Sequence, residues 1–249
     1  CNTASGHYSL MLNTTGGMNT ASGAYALCSN TTAGQGTAVG YKALSKNTTG
    51  VENTASGYGA LKTNTTGAEN TAIGWSAMYS NTNGLCNTAV GRRSMYYNTT
   101  ADGNTAIGVR SLHGDSGGMT GNFNTAVGQD VLKGNTTGIK NTASGYASLT
   151  SNTTGANNAA FGACSLIANT TGASNTAVGM YALSSNTTAS YNTASGYLAL
   201  RNNTTGGVNA AFGFKALCGN TTGACNVAVG GNALFVNTTG YGQTAIGAY

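Results

Sequence analysis

Folded onto a 17-residue period, the chain resolves into columns of apolar, small and polar residues. Asn-Thr-Ala-x-Gly or a close variant begins at Asn2, Asn19, Gly36, Asn53, Asn70, Asn87 and Asn104. A 20-residue unit at 104–123 follows, and the beat resumes at Asn124, Asn141, Asn158, Asn175, Asn192, Asn209, Asn226 and Gln243. Counting from that first residue, position three is Ala and position five Gly in all fifteen occurrences, and position nine is Leu or Met in all fourteen complete units. Positions twelve to fifteen usually read Asn-Thr-Thr-Gly. No stretch is long enough, or free enough of Gly and Asn, for a helix. The pattern predicts a strand over positions one to five, a second strand over six to ten, and an exposed loop over eleven to seventeen.

A unit this short cannot bury a core alone, so it must stack on its neighbours. The expected fold is therefore all-β, a parallel β-solenoid of about fifteen 17-residue turns, with residues 1–249 forming one repeat domain. Strands spaced ~4.8 Å apart would make it a rod roughly 70 Å long. Its core is expected at positions two, four and nine. Leu27, Leu44, Leu61, Leu149, Leu183 and Leu200 would form the internal column. Position four varies among Ser, Val, Ile and Phe. Where it is Phe, at Phe161 and Phe212, position two is Ala (Ala159 and Ala210). A larger ring beside a smaller neighbour reads as shared packing, although duplication of a 51-residue block would also repeat the pair.

Composition agrees with a repeat and removes several classes. The 39 Gly do not fall on every third residue, which excludes collagen, and there is no Pro. Charged residues make up only 6% of the chain, and the net charge of +5 is scattered, with Arg92 and Arg93 the one adjacent basic pair. A nucleic-acid groove is not expected. No apolar run approaches the ~18 residues of a membrane helix, and no signal peptide is visible. Both ends fall inside a repeat without a polar capping unit, so the sheet edges are expected to continue into further sequence or another subunit.

The position-twelve Asn begins an N-glycosylation sequon in twelve loops: Asn13, Asn30, Asn47, Asn64, Asn98, Asn135, Asn152, Asn169, Asn186, Asn203, Asn220 and Asn237. Asn202 adds an overlapping one, and Asn81 with Asn83 breaks the series. Such an acceptor needs an exposed loop. The same letters also serve as a turn, because Asn caps turns and Gly closes them. The constant second Thr favours glycans, which would form a brush along one edge.

Cys1, Cys28, Cys86, Cys164, Cys218 and Cys225 show no metal-ligand spacing. Cys218 and Cys225 flank one loop, either as a disulfide staple or as two small apolar side chains. Gly114-Asp115-Ser116-Gly117-Gly118 resembles the segment around the nucleophile of chymotrypsin-like serine proteases. His113 adjoins this loop and would point elsewhere, and the chain has no room for a protease domain. An insertion interrupting the sequon ladder explains the string better. No catalytic, cofactor-binding or metal site is expected.

The strings Asn104-Thr-Ala-Ile-Gly108 and Asn124-Thr-Ala-Val-Gly128 resemble the repeats of YadA-like heads in trimeric autotransporter adhesins. They are also similar to the Asn-Thr-Ala-Ile-Gly repeats of bacterial tail-fibre-like proteins. The resemblance covers every unit and implies a left-handed β-roll, commonly trimeric. The YadA-type unit is about three residues shorter, and the difference falls in the sequon loop. The resemblance implies a non-enzymatic extracellular or cell-surface structural protein, the shaft of a fibre or filament or a surface adhesin. A phage or phage-like tail fibre is the alternative, and an ice-binding solenoid ranks below both, because its paired Thr residues sit in loops. The expected partners are copies of itself, end to end or as a homotrimer, together with covalent glycans and a host or surface receptor.

Overall fold

The structure, a computed structural model, describes residues 1–248. It is an all-β parallel solenoid with no helix among the described residues. The chain divides into two compact units, Cys1–Asn124 and Thr125–Tyr249. The first contains β1 (Thr3–Ser5), β2 (Thr20–Ser22), β3 (Thr37–Val39), β4 (Thr54–Ser56), β5 (Thr71–Ile73), β6 (Thr88–Val90) and β7 (Thr105–Ile107). The second contains β8 (Thr125–Val127), β9 (Thr142–Ser144), β10 (Ala159–Phe161), β11 (Thr176–Val178), β12 (Thr193–Ser195), β13 (Ala210–Phe212), β14 (Val227–Val229) and β15 (Thr244–Ile246). Within each unit consecutive strands pair in parallel with residues 17 apart in register, as in Ala55↔Ala72 and Ala160↔Ala177. Like positions therefore lie over one another.

Each strand comprises positions two to four, and strand alternation sends its middle residue one way and the flanking pair the other. The middle residue faces in: Ala38, Ala72, Ala160 and Ala211 are fully buried. Position four faces out, and this corrects the expected core. Val39, Ile73 and Phe212 are 43% exposed, and Phe161 is 42% exposed. Ala159 and Ala210 do share a face with their Phe neighbours, but it is the outer one. The Ser residues at position four lie on the same outer face and need no buried partner.

The expected second strand is also corrected, because positions six to eleven run as turns. Positions seven and nine sit in the left-handed region, as at Tyr25 (φ 61°), Leu44 (φ 50°) and Leu149 (φ 50°), which no β-strand tolerates. The amides still bridge turns: Leu27 N donates to Ala43 O at 3.0 Å and Ser29 N to Ser45 O at 3.1 Å. Position nine is thus doubly selected. Its side chain must fill the interior, and its backbone conformation disfavours a branched Cβ. Leu and Met meet both demands; Ile and Val do not. The interior column stands as expected, with Leu27, Leu44, Leu61, Leu149, Leu183 and Leu200 fully buried. Position five needs Gly for a different reason. Gly57 has φ 131°, and a Cβ there would lie 2.5 Å from the carbonyl oxygen of Gly74.

Two Asn columns complete the interior. At position twelve, Asn64 Nδ2 donates to Asn47 Oδ1 of the preceding turn at 2.8 Å and to Gly67 O at 2.8 Å. At position one, Asn70 Nδ2 donates to Asn53 Oδ1 at 3.1 Å, and Asn70 N donates to the same oxygen at 3.0 Å. The position-fifteen carbonyl ties the columns together, since Gly67 O also accepts from Asn53 Nδ2 at 2.7 Å. Buried amides must be paired in this way to be tolerated. In the 20-residue unit the position-twelve site is taken by Met119, which is fully buried and bridges to Asn98, while residues 114–118 form the extra loop.

Candidate functional site

With the polar ladders turned inward, surface chemistry falls to the outer sheet face and to the corner at positions six, seven and ten. No sheet-face strand residue is charged: position two is Thr, Ala or Val and position four is Ser, Val, Ile or Phe. At the corner, position six carries stacked rings. Tyr41 and Tyr58 lie 5.3 Å apart between centroids at 25°, Tyr58 and Trp75 6.0 Å apart at 13°, and in the second unit Tyr197 and Phe214 5.8 Å apart at 15°. Rings one turn apart face each other because in-register stacking leaves their planes little choice. They present edges outward and faces to one another.

A second aromatic column runs at position ten of the first unit. Tyr79 and Tyr96 stack at 5.1 Å, and Tyr96 and His113 at 5.6 Å, both within 11° of parallel. Lys62 Nζ lies 2.5 Å from the Tyr79 hydroxyl and over its ring. Arg93 joins the two columns, its guanidinium 4.9 Å from the Trp75 ring and 5.4 Å from the Tyr96 ring. Arg92 also lies over Trp75 at 5.7 Å. Arg93 Nε is buried without a hydrogen-bond partner. Burial, ahead of the neighbouring tyrosines, raises the Tyr96 phenol above its ordinary value and keeps it a hydrogen-bond donor. Arg92 and Arg93 stand out in the sequence as one adjacent pair, and what gives them meaning is the period: 17 residues carry Trp75 onto Arg92 and Tyr79 onto Tyr96.

The structure places the sequon residues inside, which corrects the expectation of exposed acceptors. Asn30, Asn47, Asn64, Asn98, Asn135, Asn152, Asn169, Asn186, Asn203 and Asn220 are at most 1% exposed. Their Nδ2 atoms, to which a glycan would be joined, are the donors of the ladder, as at Asn152, bonded to Asn135 Oδ1 and Gly155 O. Asn13 and Asn237 are partly exposed, yet their Nδ2 atoms donate to Gly16 O and Asn220 Oδ1. A sugar on these nitrogens would displace the bonds that hold the turn, so the glycan brush is withdrawn. Of the overlapping pair, Asn202 is exposed. The second Thr of the motif faces solvent, as at Thr49, Thr154 and Thr171. The first Thr bridges turns through its hydroxyl, as Thr48 does to Thr65 O at 3.0 Å.

The disulfide is likewise corrected. Cys218 and Cys225 are both free thiols. Cys218 is buried, which pushes its thiol above the ordinary value, while Cys225 sits on the loop with φ 59°. In the inserted loop Ser116 Oγ lies 3.2 Å from Asp115 Oδ1. His113 instead stacks on Tyr96, with its Nδ1 3.1 Å from Gly114 O. The structure does not bring His113 and Ser116 together as base and nucleophile. Among the described residues no three His, Cys, Asp or Glu side chains gather as a metal site. Among the described residues no helix is long and apolar enough to cross a membrane.

No family model and no curated protein matches the chain.

Proposed function

We propose that this chain is a non-enzymatic structural element, the shaft of an extracellular fibre or surface adhesin, which associates side to side with copies of itself. The observation that carries the reading is the uncharged outer face of the sheet. Ile73 and Ile107 in the first unit, and Phe161, Val178 and Phe212 in the second, are each 42–43% exposed and recur in register along it. Exposed apolar runs of this kind, broken here by Ser144 and Ser195 and flanked by the Thr of position two, mark an interface. A second copy suits it best, because only a partner with the same turn spacing can meet every row in phase. The resemblance to YadA-like heads implies three copies, and a phage-like tail fibre would use the same face.

The test is the oligomeric state by light scattering, for the chain as it stands and with Ile73→Ser, Phe161→Ser and Phe212→Ser combined. We expect a multimer, with a trimer matching the resemblance, that falls to monomer in the variant. A wild-type chain that stays monomeric at all accessible concentrations would overturn the reading.

A further inference from the structure

We infer that the corner formed by Lys62, Trp75, Tyr79, Arg92, Arg93 and Tyr96 is a binding site for a linear anionic polysaccharide. The site is separate from the sheet face that carries the proposed self-association.

The argument starts from the cations. Arg93 is held between Trp75 and Tyr96, so its orientation is fixed before any ligand arrives. Its Nε is buried without a protein acceptor, which leaves the two Nη groups to meet a ligand, and neither arginine makes an ion pair among the described residues. The nearest carboxylates in sequence are engaged elsewhere, Asp102 with the Leu85 amide, Asp115 with the Ser116 amide and Glu69 with the Cys86 thiol. An oriented guanidinium without a counter-ion is matched by an oxyanion that takes two of its donors at once.

The second step concerns which oxyanion. Lys62, Tyr79, Arg92, Arg93 and Tyr96 occupy three consecutive turns, the first beginning at Asn53. At ~4.8 Å per turn they form a row of donors roughly 10 Å long, which fits an extended chain rather than one small ion. Tyr79, Tyr96 and His113 spend their faces on one another, as do Tyr58 and Trp75. Nucleic-acid bases would need those faces to stack on. What remains outward is apolar ring edges together with phenol hydroxyls and cation heads, and the last two are hydrogen-bond donors. A sugar chain bearing hydroxyls with sulfate or carboxylate groups supplies the complementary acceptors. The second unit has a weaker counterpart, where a single Lys215 lies 5.1 Å from the Phe214 ring and 5.9 Å from the Phe235 ring, with no guanidinium fork and no phenol hydroxyl on either ring.

The experiment is biolayer interferometry of the whole chain on immobilised heparin, as the sulfated probe, and on polygalacturonate, as the carboxylated one. Neutral dextran and single-stranded DNA complete the set. We expect binding to one or both acidic polysaccharides and none to dextran, with affinity falling steeply between about 50 and 200 mM salt. The combined Arg92→Gln, Arg93→Gln variant should lose about tenfold or more. Lys62→Met, which leaves the arginines and their backbone conformation alone, should lose a smaller but measurable share. Lys215→Met should bind as the wild type does. The acidic polysaccharide that binds identifies the oxyanion. The inference fails if neither binds at low salt, if both corner variants bind as the wild type does, or if DNA binds more tightly than either sugar. None of these outcomes depends on the oligomeric state.

Discussion

Two columns of this solenoid carry apolar residues, and they obey opposite rules. Position nine is Leu or Met in every complete turn and is fully buried at Leu44 and Leu149. Position four ranges over Ser, Val, Ile and Phe and stays exposed even where it is Phe. In a stacked repeat the interior is a single shape extended along an axis, so any change must fit both the turn below and the turn above. The exterior meets no such pair of neighbours and is free to diverge. Between these two columns uniformity marks burial better than hydrophobicity does, although the nearly uniform second Thr of the loop faces solvent and shows that the rule does not extend to every column.

The comparison is tested most severely at the Asn ladder, where a polar column is as uniform as the Leu one. Asn152→Leu removes the donor to Asn135 Oδ1 and the acceptor of Asn169 Nδ2, which meet it at 2.9 Å each. Three buried groups would lose a partner, and since Gly155 O keeps its bond from Asn141 Nδ2, the cost falls mainly on the other two, at roughly 2–6 kcal/mol. Loss of hydrogen-exchange protection in the turns around Asn152 is the readout. A variant as protected as the parent would mean that burial there is indifferent to polarity.

The next effect is at Leu149. Leu149→Ala should cost ~2–5 kcal/mol through the cavity it leaves. Leu149→Ile sharpens the point, because it keeps the volume. Such swaps usually cost below ~1.5 kcal/mol. At φ 50° we expect it to exceed that, since a branched Cβ is poorly tolerated in this backbone region. Thermal denaturation of the pair separates packing from backbone conformation: an Ile variant as stable as the parent would assign the restriction to volume alone. The smallest effect belongs to position four. Phe161→Ser should change the stability of a single chain by within ~0.5 kcal/mol. A larger loss in a monomeric sample would show that the outer face helps to hold the fold.

Much of this was legible in the sequence. The 17-residue period gave the solenoid, the parallel register and the Leu column, because stacking converts sequence spacing directly into contact. The failures have specific causes. Position four reads as core from the pairing of Phe161 with Ala159, yet the two share the outer face and Ala160 between them occupies the buried one. Positions six to ten were read as a strand because their composition permits one, and nothing in the letters of Tyr25 or Leu27 announces a positive φ. The Asn-Thr-Thr-Gly sequon was read as a surface signal, but Asn47 is an internal hydrogen-bonding rung. The corner cluster was hidden because Trp75 and Arg92 are distant along the chain and adjacent only in the repeat.

The Asn ladders also give each unit an electrical direction. Backbone amides bridge the turns both ways: Leu27 N donates forward to Ala43 O, while Tyr25 N donates backward to His7 O. The forward bonds outnumber the backward ones: Thr54, Leu61, Thr63, Thr65, Thr66 and Gly67 donate forward from one turn, against Gly57, Gly59 and Glu69 backward. The side-chain amides run one way only, for Asn64 donates to Asn47, Asn81 to Asn64 and Asn98 to Asn81, always toward the amino-terminal side. Aligned amides polarise one another and their moments add, so the Asn column of a unit has a moment of its own, with its positive end toward the first turn and opposed to the excess of forward-donating backbone amides. Met119, standing where Asn would be, carries no such amide and leaves a gap in that alignment. Within each unit the Asn column is therefore a one-way wire of amides, which a reversed turn could not join without breaking it.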